Sequence, residues 1–268
     1  MQIHPTAVIH PKAQLAEDVQ VGPFCVVGEH VSIRKGTRLL SHVTVEGWTE
    51  IGERCELHPF VSVGGPPQHL GYKGEPTKVV IGSDNIFREY VTVNRATVQG
   101  GGITSIGDKN FLMAYCHVAH DCRLGSHLIM ANAASLAGHI TIGDHAIIGG
   151  LSGIHQFVRI GAYAMVGGCC ALGQDLPPFM RAAGGYRARM YGLNSVGLRR
   201  HGFSSDRVAV LKQAYDLLFR SGHKTAEAAK LAKAEFGEHP DVNAVLAFLQ
   251  GTKRGICRSV GKDQEHEE

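Results

Sequence analysis

An imidazole with an ordinary pKa near 6.5 can take up and return a proton at neutral pH, and it can also ligate a metal. The chain carries 16 histidines, and four of them fall at telling spacings. Val118, Leu136 and Ile154 are separated by eighteen residues each. His120 follows Val118 by two, His139 follows Leu136 by three, and His155 follows Ile154 by one; His117 immediately precedes Val118, at the corner entering the same face. If the chain coils every eighteen residues with strand-like stacking, all four lie within roughly 10 Å of one another. Three chemistries fit such a group. It can be a polar surface without joint function, a zinc site, or a general base with binding partners around it.

The coil follows from the aliphatic pattern. Ile3, Ile9, Leu15, Val21, Val27, Ile33, Leu39, Val45, Ile51, Leu57 and Val63 recur every six positions, and Ile81, Phe87 and Val93 resume the series. After a change of phase it runs from Ile106 to Leu172. Small residues such as Cys25, Thr37, Cys55, Cys116, Cys122, Ala134 and Cys170 stand four places after the aliphatic one. One large and one small inward residue per hexad describe a narrow three-faced prism, with three hexads to each coil. Glycine often follows the aliphatic residue, as at Gly22, Gly52 and Gly125, where a corner needs a positive φ or close backbone approach. Five of the seven cysteines occupy the small inward position and read as buried hydrophobes rather than disulfide partners.

Two segments interrupt the series. Residues 64–80 replace the hexad signals with Gly and Pro, and residues 97–105 shift the phase by one; both read as loops thrown out of the solenoid. From about residue 190 the pattern becomes helical. Ser204, Ser205 and Asp206 offer N-caps before Val208, Leu211, Tyr215 and Leu218, and residues 225–236 and 241–250 read as two more helices. The expected organisation is a mainly β solenoid over 1–189, a small C-terminal α-helical domain over 190–257, and a polar, disordered tail over 258–268.

Composition narrows the classes. A net charge of +3 and a charged fraction of 19% do not call for nucleic acid as a partner. No apolar run is long enough to span a membrane, and Met1-Gln2-Ile3-His4-Pro5 has no signal-peptide character, so the expectation is a cytoplasmic protein.

The hexad pattern resembles the left-handed parallel β-helix of hexapeptide-repeat acyltransferases, and that resemblance implies the hand of the coil. A γ-type carbonic anhydrase with interfacial histidine ligands shares the fold and keeps the zinc reading in view. More specifically, residues 112–122 (LMAYCHVAHDC) resemble the catalytic segment of the UDP-N-acetylglucosamine O-acyltransferase family, which opens lipid A biosynthesis. Gly74-Glu75-Pro76-Thr77, residues 97–102 (TVQGGG), Leu136-Ala137-Gly138-His139, His155-Gln156-Phe157, Val166-Gly167-Gly168-Cys169 and Gly202-Phe203-Ser204 extend the resemblance over residues from about 20 to 255.

The resemblance implies His120 as general base toward a sugar 3-hydroxyl, Asp121 as its orienting carboxylate, and the Gly138 N–H as oxyanion donor. The acyl donor would be an (R)-3-hydroxyacyl thioester on acyl carrier protein, with no metal and no cofactor. His69, His117, His139, His155 and Gln156 match substrate-contacting positions, and Asn194 and Arg200 match positions near the nucleotide. Gly168 stands where an acyl-chain ruler lies, and a glycine there leaves room for a longer chain. The basic run Arg199-Arg200-His201 suits phosphates or the acidic carrier protein, or else is a solvated helix start. A homotrimer is implied as well, with sites between subunits. Three positions depart from the commoner pattern: His69 stands in place of an Asp that contacts the sugar, Asn94 in place of a His, and His201 in place of an Arg. Because His69 and Asn94 belong to the sugar pocket, a 3-amino analogue of the nucleotide sugar is an alternative acceptor.

Overall fold

The computed structural model describes residues 2–260. Strands of two to five residues stack into three sheets of eleven, nine and eight strands. Where no loop intervenes, strand residues of the coils pair in parallel with those eighteen positions on, as Gln2 with Gln20, Val8 with Val26 and Gln14 with Ser32. The architecture is a left-handed parallel β-helix with a small helical C-terminal part. Crossovers between parallel strands are ordinarily right-handed because long strands twist; two-residue strands carry too little twist to impose that hand.

The interior is filled as the hexads require. Val19 and Val21, Cys25 and Val27, Val31 and Ile33, and Thr37 and Leu39 all point inward with at most 3% exposure. Several polar inward residues bond from coil to coil, although Asn110 Nδ2 is buried without an acceptor among the described residues. Asn85 Oδ1 accepts from Asn110 N at 2.9 Å, and Asn110 Oδ1 accepts from Leu128 N at 2.7 Å, which carries one ladder of bonds from coil to coil. All seven cysteines are free.

The corners bear out one of the two roles expected of glycine. The glycine after the aliphatic residue serves close approach and not a positive φ: a β-carbon on Gly22 would lie 1.4 Å from the Leu40 carbonyl oxygen. The left-handed residue comes two places later and is commonly not glycine, as at Phe24 (φ 57°), His42 (55°), Phe60 (65°), Tyr90 (62°) and Tyr115 (64°). Stacking offsets that backbone cost. These five rings form a column at one edge, with centroids 4.8–4.9 Å apart.

Both interruptions are shorter than the sequence indicates. Lys78–Ile81 is a strand in register with Trp48–Ile51 on one side and Ile103–Ile106 on the other, so the first loop occupies 66–77 and the second 97–102. An outward–inward alternation at 78–81 and 103–106 lets these ends join the ladder. The first loop makes Glu56 pair with Ile86, thirty positions on, and the second makes Ile86 pair with Phe111, twenty-five on.

Beyond the last full coil, Arg189–Leu193 pairs antiparallel with Met180–Ala183. Four helices follow: α1 Ser195–Arg200, α2 Ser205–Phe219, α3 Thr225–Phe236 and α4 Pro240–Gln250. Ser204 caps α2 by accepting from Arg207 N, and the Arg207 guanidinium clamps Asp241 at 2.5 and 2.7 Å. Asp175 ties this part to the β-helix, accepting from Arg159 N at 2.9 Å and from Thr252 Oγ1 at 2.8 Å. Residues 258–260 are ordered: Ser259 bridges Met190, and Val260 N donates to the Met190 carbonyl. Backbone pairing claims what polarity suggested was a free tail. Residues 261–268 lie outside the described residues.

Candidate active site

Strands His117–Val118, Ser135–Leu136 and Gly153–Ile154 lie side by side on one face. The corner that closes this face stacks Asp121, His139 and Phe157, all with φ between 63° and 66°. His120, Gly138 and Gln156 precede them in successive coils, joined by His139 N to the His120 carbonyl and Phe157 N to the Gly138 carbonyl. The count of eighteen therefore does gather the histidines. One detail differs: His117 sits on the strand, not at a corner, so its ring projects from the flat face.

His120 and Asp121 are buried, each 4% exposed. His120 Nδ1 lies 2.7 Å from Asp121 Oδ2. The carboxylate accepts from Thr97 N at 2.9 Å through Oδ1 and from Thr97 Oγ1 at 2.7 Å through Oδ2. An ionised carboxylate only accepts, so the proton of a neutral His120 resides on Nδ1 and Nε2 keeps its lone pair. Gly138 makes room for that ring: a β-carbon there would lie 2.5 Å from His120 Cε1. The Gly138 N–H has no acceptor among the described residues.

The other imidazoles surround this pair. His139 packs edge-on against His120, with centroids 5.1 Å apart, and stacks on Phe157 at 4.5 Å. Burial lowers the His139 pKa, opposed by the Asp121 charge, whose Oδ2 is 3.6 Å from Nε2. Burial also lowers that of His117, whose Nδ1 lies 2.7 Å from Thr92 Oγ1. Both rings are thus held toward the neutral form. His69 reaches in from the 66–77 loop, its ring edge-on to His120 at 5.4 Å. His155 is exposed, with Nδ1 3.2 Å from the Gln156 carbonyl.

A cleft of about 760 Å³ opens along the face, lined by Gln68, His117, His120, Gly138, His155 and Gln156 over a floor of small residues that includes Ala137, Gly153 and Ala171. A polar end and an apolar trough suit an amphipathic substrate. His120, Asp121 and His139 are the group among the described residues able to hold a metal, with ligand atoms within 4.8 Å of one another. Asp121 already accepts three hydrogen bonds, so a cation would have to displace His120 Nδ1 or Thr97 as its partner.

Three expected site residues lie away from this cleft. Gly168 is exposed at the opposite corner of the same face, where a β-carbon would come no nearer than 3.5 Å to the Gly150 carbonyl oxygen. Asn194 and Arg200 line a second cleft of about 520 Å³ with Arg181, Tyr191 and Lys212. Asn194 is 5% exposed and its amide is engaged, Oδ1 capping α1 at Gly197 N and Nδ2 donating to the Tyr163 carbonyl. Arg199 and Arg200 close α1 instead of starting a helix, and His201 is its C-cap.

A family profile described as "Udp N-acetylglucosamine O-acyltransferase; Domain 2" matches residues 175–257. The chain is 55% identical over 257 residues to the acyl-[acyl-carrier-protein]–UDP-N-acetylglucosamine O-acyltransferase of Thermodesulfovibrio yellowstonii, covering 96% of this chain and 99% of that one. The chain belongs to the UDP-N-acetylglucosamine O-acyltransferase family. The solved LpxA structure from Acinetobacter baumannii is 44% identical, with a TM-score of 0.94 over 96% of this chain and all of that one. A UDP-N-acetylglucosamine acyltransferase from Campylobacter jejuni is 41% identical, with a TM-score of 0.91 over 97% of this chain and all of that one.

Sequence reasoning about this O-acyltransferase passed over the residues that hold the His120–Asp121 pair. Thr97 supplies two donors to Asp121, and Thr104 Oγ1 accepts from Asp121 N at 2.8 Å. Gly100 passes over the carboxylate so closely that a β-carbon would lie 2.0 Å from Asp121 Cγ. The signal available was the glycine run 100–102 in a loop that breaks the period. Gln68 and Thr92 carried no such signal.

Proposed function

We propose that the chain transfers an (R)-3-hydroxyacyl group from acyl carrier protein to the 3-hydroxyl of UDP-N-acetylglucosamine, the first step of lipid A biosynthesis. The observation that carries this reading is the buried His120–Asp121 pair, with Nδ1 bonded at 2.7 Å and His120 lining the cleft. His120 Nε2 removes the hydroxyl proton as the sugar oxygen attacks the thioester carbonyl carbon. The tetrahedral oxyanion takes a hydrogen bond from Gly138 N–H, and Asp121 stabilises the imidazolium. Collapse breaks the C–S bond, and the leaving thiolate recovers the proton from His120. Neutral His117 and His139, with His69, His155 and Gln156, offer polar contacts to the acceptor. Gly168, at the opposite corner of the face, presents no side chain, which supports a longer acyl chain.

The second cleft carries Arg181, Arg200 and Lys212, a cationic lining suited to the nucleotide diphosphate or to the acidic carrier protein. In a homotrimer the histidine face of one subunit would meet groups of its neighbour, which accounts for site residues lying outside a single-chain cleft. A cytoplasmic location is consistent with the absence, among the described residues, of any helix long and apolar enough to cross a membrane. A zinc-hydration activity has less support, because Asp121 is fully engaged with its protein partners.

One observation favours a second acceptor. Asn94 Oδ1 is buried without a donor, while its Nδ2 donates to the Pro66 carbonyl at the root of the loop that carries His69. An amine at sugar position 3 would present more donors than a hydroxyl and give an amide. Transfer from (R)-3-hydroxyacyl carrier protein to UDP-N-acetylglucosamine and to its 3-amino analogue, followed by mass spectrometry, decides between them. His120→Ala should lower kcat by about 10²–10⁴ with either acceptor. Wild-type protein that acylates neither would overturn the proposal.

A further inference from the structure

Arg95 is a buried cation, 9% exposed, and no carboxylate of the described residues forms an ion pair with it. Burying an unpaired guanidinium is costly unless hydrogen bonds replace its water. Here they do, and they tie the end of strand Ser62–Gly65 to the loop that leaves it. Nη1 donates to the Gly64 carbonyl at 2.8 Å, and Nε and Nη2 both donate to the Tyr72 hydroxyl at 3.0 and 2.8 Å. The backbone N–H donates to the Gly65 carbonyl at 3.0 Å. The cation also lies over the Trp48 and Tyr72 rings, at 5.7 and 5.5 Å. Gly47 yields the space, since a β-carbon there would lie 2.4 Å from Nη1.

Tyr72 passes the constraint on. Its oxygen accepts twice from Arg95 and donates to the Glu75 carbonyl at 2.7 Å, which uses its full hydrogen-bonding capacity. Its backbone N–H donates to the His69 carbonyl at 3.0 Å. His69 in turn stands edge-on to His120, and neighbouring Gln68 lines the cleft. We infer that Arg95 is a positioning residue: acting through Tyr72, it sets where the 66–77 loop holds Gln68 and His69 beside His120, and so governs binding of the acceptor. This inference rests on the acyl-transfer reading for its kinetic consequence.

The test varies both substrates for Arg95→Lys, Tyr72→Phe and the double variant. Lysine keeps the charge but cannot place two parallel N–H groups on one phenol oxygen. The expected result is a rise of tenfold or more in KM for the nucleotide sugar, with KM for the acyl carrier protein within twofold of wild type. The double variant should be no worse than the poorer single, because both act along one path. Simple loss of folded enzyme would lower the apparent kcat and leave both KM values unchanged; that result, or penalties that multiply in the double variant, overturns the inference. Trypsin supplies an arm independent of activity. Cleavage after Lys73, followed by mass spectrometry, should be faster in Arg95→Lys than in wild type. An unchanged rate sinks the inference even if wild-type protein transfers no acyl group, an outcome that separately sinks the functional reading.

Discussion

At Gly138 the backbone runs so near the His120 ring that even a methyl group would overlap it. Gly138→Ala should therefore push the base off its line to the substrate. A displacement near 1 Å is enough to lower kcat by about a hundredfold, while KM changes little. Steady-state kinetics would check this, and a kcat within threefold of wild type would show that the ring is not held there. The imidazoles also link stability to pH. Burial lowers the pKa values of His117 and His139 below 6.5, so the unfolded chain binds more protons than the folded one once the pH falls past that value. Stability should be flat above about pH 7.5 and should decline as the pH drops through 6.5 toward the folded-state values. Thermal midpoints between pH 8 and 5.5 should fall more steeply for wild type than for the His117→Gln/His139→Gln double variant. Parallel curves would refute the assignment.

The elements of this fold are short and interdependent, because a two-residue strand has no stability apart from its neighbours in the coils on either side. The helices rely on capping and on docking. Asn194 serves both needs, accepting from Gly197 N at the start of α1 and donating to the Tyr163 carbonyl on the β-helix. Asn194→Ala should cost about 1 kcal/mol from the cap, seen as a lower denaturation midpoint. A change in nucleotide affinity without any loss of stability would instead assign this amide to ligand contact. At this scale the strands were legible from a period of six, and α2, α3 and α4 from caps and helical spacing. The short α1 was not, since Ser195–Arg200 buries only Leu198 and so shows no periodicity. The corner residues were not legible either. At Phe24, His42, Phe60, Tyr90 and Tyr115 the positive φ is offset by rings stacked in a column between coils, a non-local compensation.

Over the whole molecule, the narrow prism protects its thiols. Burial raises the pKa of Cys116 and Cys170 to about 11 and of Cys122 and Cys257 to about 12, while Cys25 and Cys55 are raised by the same cause. Cys169 alone is exposed. Iodoacetamide at pH 8 should thus modify no more than one thiol of the folded protein, at Cys169, and all seven once it is denatured. Rapid modification of Cys122 in native protein would contradict the packing described. The helical part completes the molecule through Asp175, Arg159 and Thr252, and none of these pairings has a regular sequence spacing.

The amino-acid sequence by itself determined the solenoid, its three faces and the clustering of His117, His120, His139 and His155. A repeat of six turns spatial contact into sequence distance, and every eighteenth residue becomes a neighbour. Only the tertiary structure decided what those histidines touch. Thr97 meets Asp121, His69 meets His120 and Arg95 meets Tyr72 because two aperiodic loops fold back on the prism, guided by hydrogen bonds and ring contacts between residues of no fixed spacing. Tertiary structure also put Asn194 and Arg200 in a cleft of their own. Periodicity encodes contacts between neighbouring coils; it says nothing of segments that leave the coil and return.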